Sequence, residues 1–143
     1  MENNMTNSTR TIERTLIIES PQNKVWQALT DPEKLSQWFG QSAQFELTPK
    51  NIGHFGWDDH GTFAMRIEQV QPQTYFSWRW MAKKDTPFVK DQTTLVEWRL
   101  KALSPNKTEL IMKESEFKSP ESRSDNVGGW EQELGELVGF LGE

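Results

Sequence analysis

The sequence predicts an α+β domain, an antiparallel sheet with its helices gathered on one face and a long helix at the C-terminus. Two observations carry this. Between Gln41 and Phe117 apolar residues recur at every second position in several successive runs parted by turn residues, the pattern of strands with one dry and one wet face. Towards the C-terminus the period becomes helical: Val127, Trp130, Leu134, Leu137, Val138 and Leu141 share one arc of a helical wheel, with Glu131, Glu133, Glu136 and Glu143 off it. A chain of 143 residues suits one domain, expected over residues 10–143, behind a polar tail (1–9) expected to be disordered.

Each element has its own signal. Arg10 to Ile18 is β-rich, with Ile12, Leu16, Ile17 and Ile18. Ser20-Pro21 then stops the strand and starts a helix, Ser as cap and Pro in the first turn, with Val25, Trp26 and Leu29 as its apolar face. Thr30 and Glu33 have capping-box spacing before a second short helix, which buries Leu35, Trp38 and Phe39 and ends at Gly40. Strands follow on the pairs Phe45/Leu47 and Phe55/Trp57, then a turn at Asp58-Asp59-His60-Gly61. Phe63, Met65 and Ile67 share a face, as do Phe76, Trp78 and Trp80 beyond the Gln71-Pro72-Gln73 turn. A charged loop, Lys83 to Lys90, leads to Val96, Trp98 and Leu100, and the Ser104-Pro105-Asn106 turn leads to Leu110 and Met112. Glu114 shares the parity of the last two.

Composition narrows the function. A net charge of -5 and the absence of a basic patch argue against nucleic acid and against an anionic membrane surface. With no Cys there is no disulfide, thiol chemistry, thiolate zinc or iron–sulfur cluster, which fits a cytoplasmic address. The N-terminal stretch has no apolar segment of a signal peptide, and no run approaches a membrane span, so neither secretion nor membrane insertion is expected. There is no Gly-x-Ser-x-Gly elbow and no Gly-rich phosphate loop, so the expectation is a protein without catalysis and without a cofactor. His54, Asp58, Asp59 and His60 are of metal-ligating type, but their spacing is that of an ordinary hairpin turn, and no metal is expected there.

Seven Trp and eight Phe against one Tyr give an apolar inventory dominated by large rings. They either pack on one another or line a hole between sheet and C-terminal helix. On the second reading parity places Phe63, Met65, Phe76, Trp78, Trp80, Trp98 and Met112 on the inner face, with Leu134 opposite on the helix. Trp38, Phe55, Trp57 and Trp130 would close the rim. Glu114 would recognise a ligand amine or hydroxyl, or move a proton together with His54 or His60. The favoured alternative has it reach water at the strand end or pair with an Arg or Lys, since charged groups are rarely buried alone. Gly128, Gly135, Gly139 and Gly142 form a stripe beside the helix's apolar face, leaving room for a second backbone, as in a homodimer, or for bending. The polar run Ser119 to Asn126 is expected as a loop, placed to act as a flap.

The order of elements, with Val25-Trp26-Gln27-Ala28-Leu29-Thr30-Asp31-Pro32-Glu33 and Trp38, Val70-Gln71-Pro72 leading into Phe76-Ser77-Trp78-Arg79-Trp80, and Gly129-Trp130 ahead of Leu134 and Leu137, resembles the START-like (SRPBCC) superfamily. Within it the resemblance is to the branch named for the activator of the 90-kDa heat-shock chaperone ATPase, and it runs from Arg10 onward. It implies a helix-grip fold, in which a curved sheet wraps a long C-terminal helix and leaves a cavity between them. The functions it implies range over carriers of apolar or amphipathic small molecules, co-chaperones with a chaperone partner, and polyketide cyclase or dehydratase-like enzymes. The co-chaperone carries a further N-terminal domain, and no such domain is expected within these 143 residues. Fold does not fix function, and the residues favour a binder of an apolar or amphipathic small molecule.

Overall fold

Seven strands form one antiparallel sheet in the order β1-β7-β6-β5-β4-β3-β2, in a computed structural model that describes residues 10–142. The expected tail, 1–9, and Glu143 lie outside the described residues. The strands are β1 (Ile12–Ile18), β2 (Ser42–Gln44), β3 (Ile52–Trp57), β4 (Gly61–Gln71), β5 (Tyr75–Met81), β6 (Thr93–Ser104) and β7 (Lys107–Ser115). The helices α1 (Gln22–Thr30) and α2 (Pro32–Trp38) cross between the first two strands, and α3 (Pro120–Leu141) closes the chain. This is the expected α+β architecture, with a curved open sheet around a long C-terminal helix. Register shifts at Ile67/Gln69 and at Ala102/Ser104 interrupt the ladders, and such irregularities bend a strand and tighten its twist.

Alternation sets the inner face. Met65, Ile67, Phe76, Trp78, Val96, Trp98, Leu110 and Met112 are buried there against Val25, Leu29, Leu35 and Phe39 from the α1–α2 segment and Trp130, Leu134 and Leu137 from α3. Val138, expected within the apolar arc of α3, is 45% exposed.

Helix starts differ from expectation by a residue or more. Pro21, not Ser20, is the N-cap of α1, and it makes no side-chain bond. Asp31, not Thr30, caps α2: its carboxylate accepts from the Glu33 backbone N–H at 3.0 Å, while Thr30 ends α1 and donates to the Trp26 carbonyl at 2.8 Å. Asp outcompetes Thr because it stands directly before Pro32, which is fitted to the first helical position. The run after Ser119 is helical rather than a flap. Ser119 is the N-cap, accepting from the Ser122 N–H at 3.1 Å, and Pro120 opens the first turn.

Candidate functional site

Around Glu114 the inner face of the sheet is tied to α3. Antiparallel register sets Glu114 of β7 opposite Ile12 on one side and Val96 on the other. Its side chain is fully buried. One carboxylate oxygen accepts from Trp130 Nε1 at 2.7 Å and Asn126 Nδ2 at 3.1 Å. The other accepts from Trp80 Nε1 at 2.8 Å and from the Thr94 hydroxyl. Asn126 and Trp130 are four residues apart, so both project from one face of α3. Glu114 therefore neither reaches water nor pairs with a Lys or Arg, contrary to the favoured expectation. Four neutral donors take the place of a cation. A carboxylate offers about four acceptor sites and an indole N–H can only donate, so the set is matched.

Beside this clasp lies a cavity of about 350 Å³. Its walls are Phe39 from the end of α2, Trp57 and Phe63 from the β3–β4 hairpin, Trp80 and Met81 from β5, Thr93 and Thr94 from β6, Phe117, and Ser122, Asp125, Asn126, Gly129, Trp130 and Glu133 from α3. All four donors to Glu114 line it, while Glu114 itself stands behind that wall. The helix is also fastened to β1 through Arg14 to Glu131 at 2.7 Å, and to the residue just before that strand through Arg123 Nε to the Thr11 carbonyl at 2.8 Å. Towards β3 the tie is Trp57 Nε1 donating to Glu133 at 3.3 Å. Burial pushes the Glu133 carboxyl up from its ordinary value, aided by repulsion from Glu136 and offset by the bonds from Trp57 and the Gly40 backbone.

Of the residues expected at a ligand site, Trp57, Phe63, Trp80 and Trp130 line the cavity. Trp38, Phe55, Met65, Phe76, Trp78, Trp98, Met112 and Leu134 do not; they fill the core. Trp38, expected at the rim, is buried and donates to the Ala28 carbonyl at 2.8 Å. The rings meet at contact distance: Phe39 stacks on both Trp80 and Trp130 with centroids 5.6 Å apart, and Trp78 lies 5.9 Å from Trp98. Large rings thus both pack the centre and line a hole at one end.

Sequence reasoning missed Asn126, Asp125 and Ser122, because their run reads as a loop, and Glu133, because it lies off the apolar arc. The signal for the first three was Ser119-Pro120, a cap and first-turn pair. His60 is on the cavity wall, whereas His54 is not. Among the described residues no three or more His, Asp or Glu side chains converge to hold a metal ion. No helix among them is long and apolar enough to cross a membrane.

Residues 19–142 match the family model described as Activator of Hsp90 ATPase homolog 1-like protein. No curated protein matches the chain significantly. Among solved structures, protein MLL2253 from Mesorhizobium loti is 24% identical with a TM-score of 0.79, over 92% of this chain and 96% of that one. CalU16 from Micromonospora echinospora is 23% identical with a TM-score of 0.70, over 92% and 75%. The Aha1 dimer from Colwellia psychrerythraea is 18% identical with a TM-score of 0.74, over 92% and 95%. At these identities the likeness is one of fold.

Proposed function

The chain belongs to the Activator of Hsp90 ATPase homolog 1-like family, and from that premise we propose that it is a non-catalytic binding protein for an apolar or amphipathic small molecule. The observation that carries this reading is the ring-lined cavity of about 350 Å³ between α3 and the sheet. Its size falls at the small end of the range for sites of drug-sized molecules, about 300–1,000 Å³. Phe39, Trp57, Phe63, Trp80, Phe117 and Trp130 supply apolar contact, and Glu114 holds two of those rings in place from behind. Burying a ring-sized apolar ligand there removes surface from water at about 25 cal/mol per Å².

The test is native mass spectrometry of protein isolated from its own host, followed by organic extraction. An apolar species at about one per chain supports the reading and identifies the ligand class. A clean apo mass, with no quenching of Trp fluorescence by any apolar probe, sinks it.

A second reading, proton-transfer catalysis on a bound substrate, has one observation in its favour. His60, Asp125 and Glu133 all line the same cavity, so ionisable groups are present on the wall beside which an apolar substrate would sit.

A further inference from the structure

We infer that the ligand of this cavity is an organic cation, an amine or quaternary ammonium on an apolar body, seated among the Trp57, Trp80 and Trp130 rings with its charge towards Glu133 and Asp125. The inference rests on the binding reading above and deepens it. Its foundation is where the donors on the wall point. The N–H of Trp80 and that of Trp130 are both committed to Glu114, and that of Trp57 to Glu133. The Thr94 hydroxyl and the Asn126 amide are committed to Glu114 as well. Inside the cavity the indoles therefore present carbon surface, and no indole N–H is left to receive a carboxylate, phosphate or carbonyl. Neutral polar groups of Gln92, Ser122 and Gln132 and the His60 ring also line it, but beside the three indoles the wall offers π-surface and the carboxylate oxygens of Asp125 and Glu133. That pairing selects cations, because the ring quadrupole attracts positive charge.

Charge on the wall agrees. Asp125 and Glu133 line the cavity, with Glu114 immediately behind it and without a counter-cation. Lys118 is the one Lys or Arg among the lining residues, and its ammonium is turned to the Thr93 carbonyl at 3.4 Å. A cation entering beside Glu133 would also oppose the upward push that burial gives that carboxyl, by favouring its charged form. The volume of about 350 Å³ suits a free small molecule rather than a two-chain lipid.

The experiment is Trp-fluorescence titration of the full chain with three probes that share an octyl tail: octyltrimethylammonium, octanoate and octanol, each below its micelle threshold and at fixed ionic strength. The expected result is that the ammonium binds about tenfold or more tighter than octanol, with octanoate weakest. Glu133→Gln, which keeps an acceptor for Trp57, should remove most of that preference while octanol affinity stays within about twofold. Asp125→Asn, at an exposed position on the cavity wall, gives the same readout if the first variant does not fold. Octanol or octanoate binding as tightly as the ammonium overturns the cation and leaves the cavity reading standing. Failure of all three probes to bind overturns both.

Discussion

Glu114 shows how one residue can organise a site without entering it. A buried carboxylate costs several kcal/mol in desolvation, and hydrogen bonds to it return about 1.5–3 kcal/mol each. With four donors around it the balance favours burial, so this carboxylate stabilises the join between β5, β6 and α3. Glu114→Gln replaces one oxygen with an NH2 group, which cannot accept. Whichever way the amide turns, at least one indole N–H, of Trp80 or of Trp130, is left unpaired. Urea unfolding should show a loss of about 1–3 kcal/mol, with a shift in Trp emission as the clasp loosens. Glu133 acts in the opposite sense. Its folded pKa is raised by burial, so the folded chain holds a proton more tightly than the unfolded one. Its contribution therefore falls as pH rises from the ordinary carboxylate value through the folded one. Urea midpoints followed from about pH 4 to pH 7 should drop more for the wild type than for Glu133→Gln. An equal slope in the two proteins would refute that assignment.

Glycines mark which positions within the elements are closely packed and which are not. At Gly53 in β3 a Cβ would stand 2.0 Å from the Gln44 carbonyl oxygen and 2.7 Å from Phe45 Cβ, so β2 can lie on β3 only because nothing projects there. Gly135 in α3 has open space around it, with nothing within 4 Å. Thermal unfolding should therefore separate the two changes. Gly53→Ala should cost about 1–3 kcal/mol through overpacking at the β2–β3 pair, while Gly135→Ala should gain about 0.5–1 kcal/mol from helix propensity. The open setting of Gly128, Gly135 and Gly139 also means that no backbone of this chain's described residues uses the stripe.

These elements were legible in the sequence to very different degrees. Strand parity is a strict two-residue period, and it placed Phe76, Trp78, Val96, Trp98, Leu110, Met112 and Glu114 on the inner face without error. Caps are less strictly set: Thr30 lost the Glu33 N–H to its neighbour Asp31, and α1 starts after Pro21 with no side-chain cap, so Ser20 is not used. The candidate site was legible only in its rings. Parity states that a ring points inward; it does not state whether other rings enclose it, as Phe39, Phe55, Phe76 and Trp98 do at Trp78, or leave one side open to a cavity, as at Trp57.

On the scale of the whole molecule, Phe39 joins three parts of the structure. Its ring meets Phe55, Trp57, Trp78, Trp80 and Trp130 at centroid distances between 5.1 and 5.8 Å, so β3, β5 and α3 share one contact. It is also both core and cavity wall. Phe39→Ala should cost about 3–5 kcal/mol and enlarge the cavity into the core. Chemical denaturation would measure the first effect, and tighter uptake of a bulkier apolar probe the second. A stability change below about 1 kcal/mol would mean that the rings close over the gap.

The indole N–H groups also sort into classes. Trp57, Trp80 and Trp130 donate to carboxylates beside the cavity, Trp38 donates to a carbonyl in the core, and Trp78 and Trp98 are buried without a partner. In a proton–nitrogen correlation spectrum these six side chains become built-in reporters. The first three resonances move when the cavity fills, and the other three stay as internal references. Occupancy of the cavity can thus be followed atom by atom with no dye attached and no residue replaced.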